Sequence, residues 1–130
     1  MSNPFNDLIS QAQQQDQPQR LLFLFAQIEK QESKKHKRRQ RGSLVPVMCV
    51  DKLPGELSVF SEFTQEADQI SSDWDFMLAA GLCGEGGVAP SSDDAEPHLN
   101  KMANDLMMGA DLSKYVILDR EANLVVLSAA

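Results

Sequence analysis

Apolar positions along this chain change rhythm from one stretch to the next, and each rhythm predicts an element. Asn3-Pro4 reads as an N-cap followed by proline at the first helical position, where its missing N–H costs nothing. Phe5, Leu8, Ile9 and Ala12 then share one helical face. The helix fades in the glutamine-rich stretch 13–19, and Pro18 stops it. Residues 20–28 are apolar at successive positions, as in a strand covered on both faces near the middle of a sheet. Residues 44–50 predict a second strand. Pro46 cannot donate to a ladder, so this strand lies at an edge or starts after the proline.

The helical rhythm returns at Pro54, with Leu57, Phe60, Phe63, Ala67 and Ile70 in one stripe and Glu56, Glu62, Glu66 and Asp68 around it. Ser71-Ser72-Asp73 breaks that helix, and Trp74 to Gly81 reads as a third strand. A flexible glycine-rich connection, Gly84-Glu85-Gly86-Gly87, runs on to Pro90. Ser91 and Asp94 fit a capping pair. Pro97 is tolerated only in a first turn, so the regular helix is expected to begin there. Its stripe is Leu99, Met102, Ala103, Leu106 and Met107, with Gly109 as the stop. Two short strands, Tyr115 to Leu118 and Leu124 to Leu127, close the pattern around a hairpin loop in which Asn123 can take a positive φ. The order α-β-β-α-β-α-β-β predicts an α+β fold: a mixed sheet of about five strands packed by two or three helices. A chain of 130 residues suits one such domain.

Charge changes the picture at one place. Residues 30–41 hold seven of the twelve Lys and Arg and a single acid, Glu32, so they carry +6, whereas the rest carries −13 and the whole −7. The run Lys34, Lys35, His36, Lys37, Arg38, Arg39, Gln40, Arg41 has nothing apolar to bury and reads as a mobile basic loop, 30–42, between the first two strands. Lys34, Lys35, Lys37, Arg38, Arg39 and Arg41 are the candidate contacts to nucleic acid or an acidic protein, since such a block attracts an anionic partner. Against nucleic acid, no aromatic residue is interleaved for base stacking, and the acidic remainder repels a polyanion.

Other chemistry is thin. Cys49 and Cys83 are too far apart for a zinc or C-x-x-C pattern and read as small buried hydrophobes. The glycine-rich loop lacks the Lys-Ser/Thr of a phosphate loop and the spacing of a dinucleotide fingerprint. His36 and His98 have no companion at ligand spacing, so no metal or other cofactor is expected. Met102, Met107 and Met108 read as core filler. No apolar run is long enough to span a membrane and the N-terminus lacks signal-peptide character, which places the chain in the cytoplasm as an expectation.

Three stretches, Gln19-Arg20-Leu21-Leu22-Phe23, Pro46-Val47-Met48-Cys49-Val50-Asp51-Lys52 and Ala89-Pro90-Ser91-Ser92, resemble those of a family of small proteobacterial proteins often labelled ribonucleotide reductase alpha subunit. The resemblance implies a bacterial cytoplasmic setting. The label itself fails, because that enzyme's large subunit resembles a much longer ten-stranded barrel with a radical cysteine plus a redox pair, and this chain has two separated cysteines. No catalytic residue carries over. The basic run lies outside the three stretches. The reading is a non-enzymatic interaction protein presenting a basic loop to an anionic partner; the alternative is a small enzyme or ligand-binding domain with a pocket near the Cys83–Pro90 loop.

Overall fold

The computed structural model describes residues 3–29, 43–108 and 112–125. Within them the chain forms α1 (Pro4–Gln13), β1 (Gln19–Glu29), β2 (Ser43–Lys52), a 3-10 turn (Pro54–Glu56), α2 (Phe60–Ile70), β3 (Phe76–Cys83), α3 (Ser92–Met108) and β4 (Val116–Asp119). The fold is α+β, with one four-stranded sheet in the order β2-β1-β3-β4.

β1 occupies the interior position that its unbroken apolar run predicts. Its side chains alternate between two cores. Leu21, Phe23 and Phe25 face α1, α2 and Trp74, whereas Leu22, Leu24 and Ala26 face α3. All six are at most 2% exposed. Burying a side chain of this size contributes about 1.5–3 kcal/mol, so this strand is the largest local source of stability. On the α1/α2 side Phe63 stacks with Phe5 at 5.7 Å and tilts against Phe23 at 4.7 Å between ring centroids.

β2 is an edge strand. Pro46 faces Ala26 across a bulge in the ladder, which admits a residue without an N–H at little cost. Every ladder is antiparallel, which corrects the expectation of a mixed sheet. β2 and β3 do run the same way, but β1 lies between them, and α2 crosses over β1 to join them.

Several boundaries differ from expectation for identifiable reasons. The second helix starts at Phe60 rather than Pro54, because Glu56 Oε1 accepts the Leu53 N–H at 2.7 Å and closes a separate turn, leaving Leu57 extended. α3 starts at Ser92 and carries Pro97 inside it. The reciprocal Ser91–Asp94 capping pair, 3.0 Å in both directions, anchors that start upstream of the proline. In the turn after β4 the positive φ falls on Ala122 (64°), not Asn123. Asp119 Oδ1 accepts the N–H groups of both Glu121 and Asn123 and fixes that turn.

The predicted fifth strand is present only as its beginning. Leu124 bridges Leu118, and the Val125 N–H donates to Ile117 at 2.9 Å. The remainder of that expectation, Val126 and Leu127, lies outside the described residues, among which there are four strands. Among the described residues no helix is long and apolar enough to cross a membrane.

Candidate functional site

The six basic candidates Lys34, Lys35, Lys37, Arg38, Arg39 and Arg41, and His36 with them, lie outside the described residues. The flanking residues are placed: β1 and β2 pair antiparallel up to Glu29 opposite Ser43, so the basic segment joins two adjacent strand ends. At this end of the sheet Asp75 accepts the Ile28 N–H at 2.8 Å, and the Asp75 N–H donates to Ala26 C=O at 2.7 Å.

At the opposite end, residues of the stretches 19–23, 46–52 and 89–92 converge. Arg20 of β1 donates from Nε to the Pro90 carbonyl at 2.6 Å and from Nη1 to Asp51 of β2 at 2.6 Å. Ser92, at the first turn of α3, donates to the same Asp51 oxygen at 2.6 Å. The guanidinium and carboxylate are only 13% and 19% exposed, so the knot is mostly desolvated, and among the described residues no buried side-chain N or O lacks a partner. It fastens the start of α3 to two neighbouring strands.

Beside this knot is the cleft anticipated near Cys83–Pro90. It encloses about 450 Å³ between the end of β3, the glycine-rich turn and the first turns of α3, with Asp94 and His98 on its α3 wall. Only Gly84 and Pro90 of its lining are buried; Cys83, Glu85, Val88, Asp94 and His98 are exposed, so it is a surface cleft. The glycine-rich segment is a tight turn rather than a flexible connection. Glu85 and Val88 pair across it, and Gly86 and Gly87 take φ of 61° and 79°, the left-handed values a two-residue hairpin turn requires. Two contacts hold it down: the Gly84 N–H donates to Pro18 at 2.8 Å, and the Gly87 N–H to Gln17 Oε1 at 2.8 Å.

Both thiols are free and exposed, which corrects their reading as buried hydrophobes. They sit at the margins of the sheet, Cys49 on the outer strand β2 and Cys83 at the last residue of β3. What packing Cys49 has pushes its thiol up in pKa. Met102 is core, but Met107 and Met108 are 61% and 73% exposed at the end of α3. Among the described residues no three His, Cys, Asp or Glu side chains are grouped as metal ligands.

Two side-chain clusters had no signal in the sequence. Trp74, Arg120 and Asp68 join α2 to the turn after β4, with the Arg120 guanidinium 4.1 Å from the indole centroid. Tyr115, Asp105, Lys101 and Lys114 join α3 to the segment before β4. Asp105 accepts from the Tyr115 hydroxyl at 2.6 Å and pairs with Lys101 at 3.1 Å and Lys114 at 3.4 Å. The Tyr115 hydroxyl and then Lys101 draw the Asp105 carboxyl down to about 2. Burial, and then the Asp105 carboxylate, push the Tyr115 phenol up to about 12.

These shifts predict a pH dependence. A carboxyl whose folded pKa lies below its unfolded value stabilises the fold above the unfolded value of about 4 and loses that contribution as pH falls through about 2. Tyr115→Phe removes the main cause of the depression. The stability gap between wild type and Y115F, read by urea denaturation, is expected to be widest near neutral pH and to narrow between pH 4 and pH 2. A gap that stays constant across that window would show that the pair holds no charge-dependent stability.

Comparison of the chain with family models, with curated proteins and with solved structures finds no match.

Proposed function

We propose that this protein is a non-enzymatic interaction protein that presents the basic segment 30–41 to an anionic partner, with nucleic acid as the partner. The observation that supports this reading most is charge separation on a defined scaffold: +6 within 30–41 against −13 elsewhere, with the segment tethered at both ends by the paired strands β1 and β2. The acidic remainder discourages wrap-around binding and leaves the segment as the contact, so affinity depends on counterion release from a few phosphates. The short-motif resemblance to proteobacterial proteins belongs with this reading and suggests a bacterial cytoplasmic setting.

The test is retention of the whole chain on heparin and on single-stranded RNA at low salt. Replacing Lys34, Lys35, Lys37, Arg38, Arg39 and Arg41 by Gln is expected to abolish retention. With six phosphate contacts the wild-type affinity for single-stranded RNA should fall about three-hundredfold between 50 and 200 mM salt. Equal retention of the substituted chain would overturn the proposal. Loss of heparin binding without any RNA binding by the wild type would assign the segment to an acidic protein instead.

The second reading, a small-molecule site near Cys83–Pro90, has the cleft of about 450 Å³ in its favour. Its exposed lining weighs against it, since small-ligand sites enclose most of their ligand's surface.

A further inference from the structure

β3 is paired unequally on its two sides. β1 runs beside it along its whole length, from Phe76 opposite Ala26 to Cys83 opposite Gln19. β4 accompanies only the first half, from Phe76 opposite Asp119 to Ala79 opposite Val116. The segment Ala80–Cys83 therefore has an edge to which β4 offers no ladder partner.

Strand alternation identifies the backbone groups on that edge. The Val125 N–H donates to the Ile117 carbonyl, so the peptide groups of Ile117 point away from β3 and those of Val116 and Leu118 point towards it. Their partners Ala79 and Met77 thus point towards β4, and by the same period Gly81 and Cys83 point theirs to the open edge. The Gly84 N–H bonded to Pro18 beside β1 fits this phase.

A groove follows the same edge. The cleft beside the glycine-rich turn continues into a second hollow of about 230 Å³, the two sharing Leu82 and His98. The floor of the second hollow is apolar, built from Leu22, Ala80, Leu82 and Met102. Its two ends differ in charge. Lys101 and Lys114 stand at the β4 end, sharing the single carboxylate Asp105, and Glu85 and Asp94 stand at the turn end.

We propose that Ala80–Cys83 binds an extended peptide segment of a partner protein as an added antiparallel strand. Its backbone would pair with Gly81 and Cys83, an apolar side chain would enter the hollow over Leu82 and Met102, and a basic residue towards its N-terminal end and an acidic one towards its C-terminal end would meet Glu85/Asp94 and Lys101/Lys114 respectively. N–H and C=O groups in strand register with no ladder partner among the described residues select an extended backbone, and the charge gradient sets its direction. A second copy fits less well. With Gly81 opposite the copy's Gly81, the copy's Cys83 would fall opposite Ala79, a position that Val116 already occupies. This site is independent of the basic segment.

The probes are two fluorescently labelled peptides of alternating valine and threonine. One carries lysine at the N-terminal end and glutamate at the C-terminal end; the other carries them reversed. Anisotropy titration of the full chain is expected to show the lysine-first peptide binding about fivefold tighter, the scale of two exposed ion pairs. Hydrogen exchange at the Gly81 and Cys83 amides should slow on binding. Cys83→Pro deletes one outward N–H and leaves the β1 ladder groups in place, and it should weaken binding tenfold or more. Lys101→Glu with Lys114→Glu, both on exposed side chains, should remove or invert the preference between the peptides and serves if the proline variant fails to fold. Neither peptide binding at millimolar concentration, or binding with unchanged exchange at Gly81 and Cys83, would overturn the proposal. So would a concentration-dependent dimer of the free chain that protects Gly81, which would assign the edge to a second copy.

Discussion

Trp74→Ala is expected to destabilise the fold by about 4 kcal/mol, the usual cost of deleting a fully buried large aromatic ring. Trp74 is 1% exposed and meets Phe25 edge-on, with 5.0 Å between ring centroids. Its loss also undoes a junction. The indole Nε1 donates to Asp68 at 2.9 Å, and Asp68 accepts twice from Arg120 Nη2, at 2.9 and 2.8 Å. Arg120 returns an Nη1 bond to the Trp74 carbonyl at 3.0 Å while lying over the indole face. Trp74→Phe should recover most of the loss, because it restores most of the ring volume and removes one hydrogen bond, worth about 1 kcal/mol, from Asp68, which still accepts from Arg120. Arg120→Ala should cost about 1 kcal/mol, well below the alanine variant at Trp74, since the ion pair is a third or more exposed on both sides. Urea denaturation followed by circular dichroism measures all three, as Trp74 is the only tryptophan and its fluorescence disappears with it. A loss below about 2 kcal/mol for the alanine variant would mean that the ring does not fill the core as described.

Gly84→Ala should cost about 3 kcal/mol, at the upper end for overpacking, because the obstacle is backbone. A Cβ there would lie 2.1 Å from the Val88 carbonyl oxygen and 2.7 Å from that of Pro18. Neither can move cheaply. Val88 closes the turn with Glu85, and Pro18 accepts the Gly84 N–H where β1 begins. If the turn opens instead of straining, amide exchange at Gly84 and Gly87 will rise well above the wild-type rate while the sheet stays protected. Gly55→Ala is the control. Nothing lies within 4 Å of the added methyl group, so a change within about 0.5 kcal/mol is expected. Equal melting behaviour for both substitutions would refute the close approach at Gly84.

Much of the architecture was readable wherever a rule acts over a few residues. The apolar stretch at 20–28, unbroken from Leu21 to Ala26, announced a central strand, and β1 has strands on both sides and helices over both faces. Pro46 pointed to an edge, and β2 is one. The cap at Asn3 holds, with its Oδ1 accepting the Asn6 N–H at 2.8 Å. The signal failed where two local tendencies compete. The stripe through Leu57, Phe60 and Phe63 has helical spacing, but the closed turn at Pro54–Glu56 leaves Leu57 extended and delays α2. A strand beginning at Trp74 was equally reasonable from composition, yet the indole fills the core ahead of β3, which starts at Phe76.

The candidate site divides in the same way. The charge of 30–41 is a matter of composition and was visible from the chain alone, whereas the glycines at 84–87 marked a connection but not the closed hairpin turn that Glu85 and Val88 form. The partners of the isolated charges were not. Arg20 meets groups 31, 70 and 72 positions away, and Arg120 meets Asp68 across 52 positions. No periodicity encodes such pairs, because they exist only after the sheet brings distant segments within hydrogen-bond range. The open edge at Ala80–Cys83 is of the same kind. Apolar patterning makes these residues a strand, but that the β3–β4 ladder ends at Ala79 opposite Val116, leaving Gly81 and Cys83 without a ladder partner among the described residues, is decided by tertiary pairing. Spacing and capping follow from sterics within a turn or two of backbone; which surface groups end up paired, and which stay available to a partner, depends on the packing of the whole chain.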